Sequence, residues 1–457
     1  MAQPHETHPE EEPVSGDRRP LRRIMVAGLI GSSIEWYDFF IYATAAALVF
    51  GPVFFPDATP LTAALLSFST FWAGFVARPI GGLIFGHFGD KVGRKPALVT
   101  CLVMMGSATF LIGLMPTTAS IGVLAPVLLV LLRFLQGIAV GGQWGGITLL
   151  LTESAGKGKR GMAGTFGQMG VPVGVLLGNC AFLGVGAFVG PEQFLSWGWR
   201  VPFLLSAVLF PVVLYIQLKI EDTPVYRELQ TKAKQRAGAV VQAPLREAIR
   251  THRKQILLGS GLLFATNAIF YISIAGVLDY GTRELGLERS PLLAIALGSS
   301  VVGIAVIFLS GWLSDRVGRR PLLFAGAGLI AAWAFPFFWL IDTGSLALIA
   351  LAVIVGAIGS SLTYGPLAAL LSEIFEPRVR YSAASLAYQL AAIIVSGGTP
   401  LIMTALLAAT GSSAAVSVYI LAMGLVTLGC TWALKESRNN TFGPAHAERD
   451  LVVEGVN

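Results

Sequence analysis

Two acids and one arginine sit inside stretches otherwise fit for lipid. Glu35 and Asp38 interrupt an apolar run at 24–52, and Arg133 interrupts another at 121–152. Ionisable groups at membrane depth are costly, so each is a functional candidate by default. Counting helical rise, Glu35 and Asp38 lie about 16–21 Å into the first run, and Arg133 lies about 18 Å into the fourth. Asp38 and Arg133 thus fall at similar depth, near a midplane. Glu35, Asp38 and Tyr42 share one helix face by i, i+3 and i+7 spacing. The chemistry on offer is a titrating carboxylate beside an arginine fork that can grip a substrate carboxylate in a bidentate way. Burial disfavours a charged carboxylate and a neighbouring arginine favours it, so a substrate that occupies the arginine promotes protonation. The simpler use of the same residues is an ion pair that locks two helices.

Further polar groups occupy other apolar runs. Gln136, Val140 and Gln143 continue the face of Arg133. Gln143 can hydrogen-bond but cannot titrate, and packing beside a glycine seam is its plainer role. That seam, Gly137, Gly141 and Gly145, has the small-xxx-small spacing of close helix approach. Arg78 precedes a basic loop by eight residues, where it snorkels, pairs or lines an inner vestibule. In the second half Asn267, Tyr271, Tyr364, Tyr388 and Gln389 are candidates to line a substrate cavity, although buried hydroxyls often only satisfy the backbone. Asp279 falls toward the outer interface, as a solvated or gate residue.

The elements that must hold these side chains are membrane spans. The chain has 457 residues, 54% hydrophobic and only 13% charged, with mean hydropathy +0.71; soluble proteins carry about 25% charged residues. The apolar material arrives in blocks of about 20 residues, the length that crosses a bilayer core. Twelve spans are expected, at 24–52, 61–86, 96–116, 121–152, 162–189, 199–219, 255–281, 291–313, 321–341, 345–372, 382–409 and 413–434. The fold class is an all-α membrane protein of two six-helix halves. Net charge is +6, and its placement in alternate loops reads as topology rather than as a nucleic-acid face. Those basic loops put both termini in the cytoplasm, in a multi-pass protein of the cell inner (plasma) membrane. The expected divisions are a disordered tail at 1–23, a bundle at 24–219, a polar linker at 220–254, a bundle at 255–435 and a tail at 436–457.

Two echoes support the halving. Gly86–Pro96 (GHFGDKVGRKP) returns as Gly311–Pro321 (GWLSDRVGRRP), with six identical positions. Leu150–Glu153 followed by Arg160 matches Leu370–Glu373 followed by Arg380. Parallel halves with a midplane site between them describe one transporter architecture. Asp90, Arg94, Glu153, Arg160, Asp315, Arg319, Glu373 and Arg380 all fall on the cytoplasmic side. Ion pairs among them would form a cytoplasmic gate; topogenic charge alone is the plainer reading.

The repeated loop resembles that of the major facilitator superfamily. The segments Glu35–Phe40 (EWYDFF), Arg78–Gly82 (RPIGG), Arg133–Gly137 (RFLQG), Gly141–Gly146 (GGQWGG) and Ser196–Pro202 (SWGWRVP) resemble its metabolite:proton symporter family. That family commonly has Glu where this chain has Gln143. The resemblance implies proton-coupled symport of a small organic acid, such as a shikimate-like acid, a dicarboxylate or a keto acid. A zwitterionic osmolyte such as proline or betaine is the alternative, and a non-transporting membrane sensor a more distant one. Asp38 and Glu35 would carry the proton; Arg133, Gln136, Gln143, Tyr42, Asn267, Tyr271, Tyr364, Tyr388 and Gln389 would bind substrate. The expected partners are that solute, a proton and the lipid bilayer, with no nucleic acid, and the chain is expected to act as a monomer. No enzymatic activity, cofactor or metal is expected. The histidines His5, His8, His87, His252 and His446 lie in tails or loops, and no GxxxxGK[ST] nucleotide loop is present. Cys101, Cys180 and Cys430 lie singly in apolar runs, without metal or disulfide spacing.

Overall fold

The apolar blocks wind into helices because lipid offers no partner for a backbone N–H or C=O, and a helix satisfies both internally. The computed structural model describes residues 18–92, 94–141, 151–152, 155, 158–221, 231, 244–376 and 379–438. Among the described residues ten helices are long and apolar enough to cross a membrane; Arg18–Leu48 and Arg94–Leu114 complete the expected twelve. They are α1 (Arg18–Leu48), α2 (Pro60–Val92), α3 (Arg94–Leu114), α4 (Leu124–Gly141), α5 (Arg160–Phe188) and α6 (Pro191–Val212). The second set is α7 (Ile249–Arg283), α8 (Arg289–Val317), α9 (Arg319–Ile341), α10 (Leu346–Ile374), α11 (Ser382–Thr410) and α12 (Ala414–Ala433). The helix that leads into α7 starts at Pro244, before the expected boundary at 255, and kinks at His252. Gln143 and Glu153 lie outside the described residues, as does most of the 220–254 linker.

Within the first half α1 packs on α5, and α2 packs on both α4 and α1; within the second, α9 packs on α10 and α12, and α8 on α10. Contacts between halves run from α5 to α8 and α10, from α2 to α11, and from α1 to α7. The α2–α4 crossing is close because glycines face backbone. A Cβ on Gly141 would overlap the carbonyl oxygen of Arg78, and one on Gly137 that of Gly74. Three segments widen into π-helical turns, Phe194–Gly198, Ile272–Gly276 and Ala392–Ser396, a distortion frequent at functional sites.

The second repeated loop has a local cause. Gly318 stands at φ 105°, a conformation L side chains rarely adopt, and it ends α8 and begins α9 in a single residue. Asp315 and Arg319 therefore flank a corner, on the last turn of one helix and the first of the next.

Candidate functional site

Asp38 on α1 and Arg133 on α4 reach one layer of the first half, 1% and 2% exposed. No ion pair joins them. Gln136, one turn beyond Arg133, stands between: its Nε2 donates to both carboxylate oxygens of Asp38, at 3.4 and 3.3 Å, and its Oε1 accepts from Arg133 Nη1 at 3.2 Å. Thr109 on α3 donates its hydroxyl to Asp38 Oδ1, and Gln136 Nε2 lies 2.7 Å from that hydroxyl. The expected direct pairing of Asp38 with Arg133 is thus a relay through an amide. Glu35 lies one turn toward the N-terminus of α1, half-buried and with interactions of its own.

Aromatic faces enclose the guanidinium. Arg133 lies 4.1 Å from the Tyr42 ring centre, 4.6 Å from Phe39 and 5.1 Å from Phe71, which offers cation–π attraction. Gly74 leaves it room, since a Cβ there would come within 2.6 Å of Nε. Nε and Nη2, the edge that forms a side-on fork, have no hydrogen-bond partner. Tyr42, expected to face substrate, is fully buried and donates its hydroxyl to Thr70 at 2.8 Å. Arg78 does not snorkel: it is 2% exposed, 4.3 Å over Phe75 and 4.8 Å over Phe39.

The second half contributes most of the wall of a small cavity. Asn267, Tyr271, Tyr364 and Tyr388 are on its wall. Gln389 is not among the lining residues; it is buried on α11 with neither amide atom partnered. The first half closes the cavity with Trp36, Val171 and Pro172. Sequence reasoning missed the serines of α8 and α10 that line it, and it missed Thr109. The adjacent pairs Ser299–Ser300 and Ser360–Ser361 inside apolar spans were the available signal. Tyr271 lines the cavity and also packs against the aromatic rings around the charged layer, its ring centre 6.0 Å from Phe75 and 6.1 Å from Phe71. Asp279 is buried rather than solvated, paired with Arg283 at 3.1 Å.

At the ends of α5, α8, α9 and α10, four of the expected gate residues form one cluster. Arg319 pairs with Asp315 at 2.7 Å and with Glu373 at 3.1 Å. Arg160 of the first half reaches Glu373 at 3.7 Å. The Asp315 carboxylate also accepts the backbone N–H groups of Gly161 and Met162, at 2.8 and 2.9 Å, where the positive end of a helix favours an anion. Arg380 donates its Nε to the carbonyl of Phe375. The side chains of Asp90 and Arg94 lie outside those described.

The segment after α12 joins this cluster. Ser437 donates to Glu373 Oε2 at 2.6 Å. Glu436 accepts N–H groups from Arg319 and Arg320, at 2.9 and 3.0 Å, and from Ser437 and Arg438. Partial burial pushes its carboxyl up, yet these N–H bonds outweigh it and hold the group below the usual carboxylate range. Among the described residues no cluster of three or more His, Cys, Asp or Glu side chains is placed to hold a metal.

The sequence matches the Major Facilitator Superfamily over residues 24–399. It is 40% identical over 426 residues to the inner membrane metabolite transport protein YhjE of Escherichia coli (strain K12), covering 92% of this chain and 95% of that protein. It is 37% identical to the shikimate transporter of the same strain, covering 94% and 98%. With the proline/betaine transporter of Salmonella typhimurium the identity is 32%, over 95% and 88%. A solved structure, the xylose transporter XylE from E. coli in a partially occluded inward-open conformation, is similar in fold, with TM-score 0.70 at 20% identity over 93% of this chain and 100% of that one. Twelve helices, two packed halves and these matches together give one assignment: the chain belongs to the major facilitator superfamily, as a multi-pass membrane transporter.

Proposed function

We propose that this transporter moves a small organic acid together with a proton, by alternating access between the two halves. The observation that carries the reading is the buried Arg133 fork. Its Nε and Nη2 groups are fully enclosed and unpartnered, and an unpaired buried donor is expensive to keep. A substrate carboxylate would accept from both at once. Asp38, reached from Arg133 through Gln136, would take the proton when the arginine turns to substrate, with Glu35 as the second candidate. The names of the relatives, a metabolite and a shikimate transporter, agree with this class of cargo.

The cytoplasmic cluster would then be the gate. Its inter-half contacts hold while the site is closed to the cytoplasm, and rocking would break them, giving a two-state element that proton and substrate both bias. Both termini would lie on the cytoplasmic side, with the 220–254 segment joining the halves.

A zwitterion is the second reading. It is favoured by the aromatic faces of Trp36, Phe270 and Tyr271 on the cavity wall, which suit a quaternary ammonium, and by the proline/betaine relative. Concentrative uptake into proteoliposomes under an imposed inward-acid pH gradient, with carboxylates and osmolytes supplied in parallel, decides between the two. Uptake indifferent to the gradient for every solute would end the symport reading.

A further inference from the structure

We infer that Ser299, Ser300, Ser361 and Asn267 read hydroxyl groups on the cargo, so that the transported acid is a polyhydroxylated one. The inference rests on the organic-acid reading above for the acid itself; the hydroxyls are argued from the cavity alone. Its wall carries serines from α7, α8 and α10, and among its described lining residues no side chain is charged.

The state of each hydroxyl matters more than the number of them. Ser299 and Ser300 both donate to the carbonyl of Ala296, at 2.8 Å. Their protons are committed, and what they turn to a solute is lone pairs. Ser360 and Thr266 are paired with each other at 2.8 Å. Ser273, buried on the π-helical turn of α7, has a hydroxyl with no partner at all. Neither the Ser361 hydroxyl nor the Asn267 amide bonds another protein side chain or backbone group among the described residues, and both line the same space.

This wall thus offers fixed acceptors beside groups that can donate or accept. A hydroxyl is the solute group that answers both needs, since it donates one proton and accepts through two lone pairs. A carboxylate accepts only, and would meet the Ser299 and Ser300 lone pairs unfavourably. A quaternary ammonium makes no conventional hydrogen bond and would leave the wall unsatisfied. Trp36, entering from the first half, adds a flat apolar face against which a ring can lie. The division of labour is then hydroxyls toward the second half and carboxylate toward the first.

The test is isothermal titration of the purified full chain in detergent with four probes: shikimate, cyclohexanecarboxylate, myo-inositol and glycine betaine. Shikimate should bind more tightly than cyclohexanecarboxylate. Ser300→Ala and Ser361→Ala should each weaken shikimate by about 2–10-fold, the size of one neutral hydrogen bond. Cyclohexanecarboxylate binding should stay unchanged in both variants, which controls for folding. Equal binding of the two acids, untouched by either substitution, overturns the hydroxyl reading and leaves the organic-acid reading standing. Binding of myo-inositol with neither acid keeps the hydroxyl reading and removes the acid. Binding of glycine betaine alone, or of no hydroxylated probe, overturns the inference.

Discussion

Asp38 and Arg133 share one buried layer of the first half without touching. The Gln136 amide fills the gap, 3.3 Å from the carboxylate on one side and 3.2 Å from the guanidinium on the other. An amide both donates and accepts, so it couples the two charges while keeping them apart. A change at one end can reach the other by reorienting that amide.

Removing the carboxylate charge tests the coupling role. Asp38→Asn should lose gradient-driven accumulation in proteoliposomes, down to the gradient-free control. Exchange of labelled for unlabelled substrate should persist. Accumulation equal to the parent protein would assign the proton elsewhere.

Gln136→Leu should cost about 1–3 kcal/mol of stability, because it strands a buried carboxylate and a buried guanidinium without their amide partner. The midpoint of thermal unfolding in detergent measures this. An unchanged midpoint would mean that water or another side chain already serves both groups.

The glycine contacts of α2 and α4 give a steric test. Gly141→Ala places a methyl group against the carbonyl oxygen of Arg78 and should destabilise by about 1–3 kcal/mol, as overpacking does. Gly298→Ala, where nothing lies within 4 Å, is the matched control and should leave the melting temperature where it was. Equal midpoints for the two variants would contradict the close crossing.

Asp315→Asn should release the contact with α5 and leave Arg319 with one fewer acid. Breaking a buried pair of this kind costs about 3–5 kcal/mol, so the closed cytoplasmic state should lose population. Cysteine labelling from the cytoplasmic side should speed up and net transport should slow, with the order of substrate preference unchanged. A switch in preference would place Asp315 at the cargo instead.

Glu436 predicts a pH dependence at the edge of the fold. Its carboxyl is held below the usual range in the folded chain, so its stabilising contribution is fully present above the unfolded value, about pH 4.3. That contribution is lost as pH falls further, through the lower folded value. The midpoint gap between the parent chain and Glu436→Gln should therefore narrow below about pH 4. A gap that is constant with pH would mean that the carboxylate charge is not what the N–H groups recognise.

The parts of this molecule that were legible in sequence are those with a simple geometric cause. Apolar block length foretold the helices, because a bilayer sets that length. Helical rise placed Asp38 and Arg133 in one layer, because depth is linear in residue number. Gln136 as intermediary was not legible: both its neighbours and its rotamer are set by α1 and α3 packing around it. Thr109 was invisible for the same reason, being one threonine among many on an apolar helix. The cavity serines were hidden because serine in a membrane helix usually serves its own backbone, as Ser310 does with Ile307. Tyr42 misled because a shared helix face says which side a residue is on and not whether its hydroxyl is already taken.

Glu373 has a consequence for the pace of the cycle. It holds Arg319 and Ser437 from its own half at 3.1 and 2.6 Å, and Arg160 from the other half at 3.7 Å. When the halves part, the short bonds travel together with the second half. Among the described contacts of this cluster, those that would be surrendered are the long arginine contact and the two N–H bonds to Asp315. As a gate, the cluster would have a reusable side and a detachable side, and parting would leave both Asp315 and Glu373 with Arg319. A closure built this way would cost less to part than one whose acids all drew their cations from the opposite half.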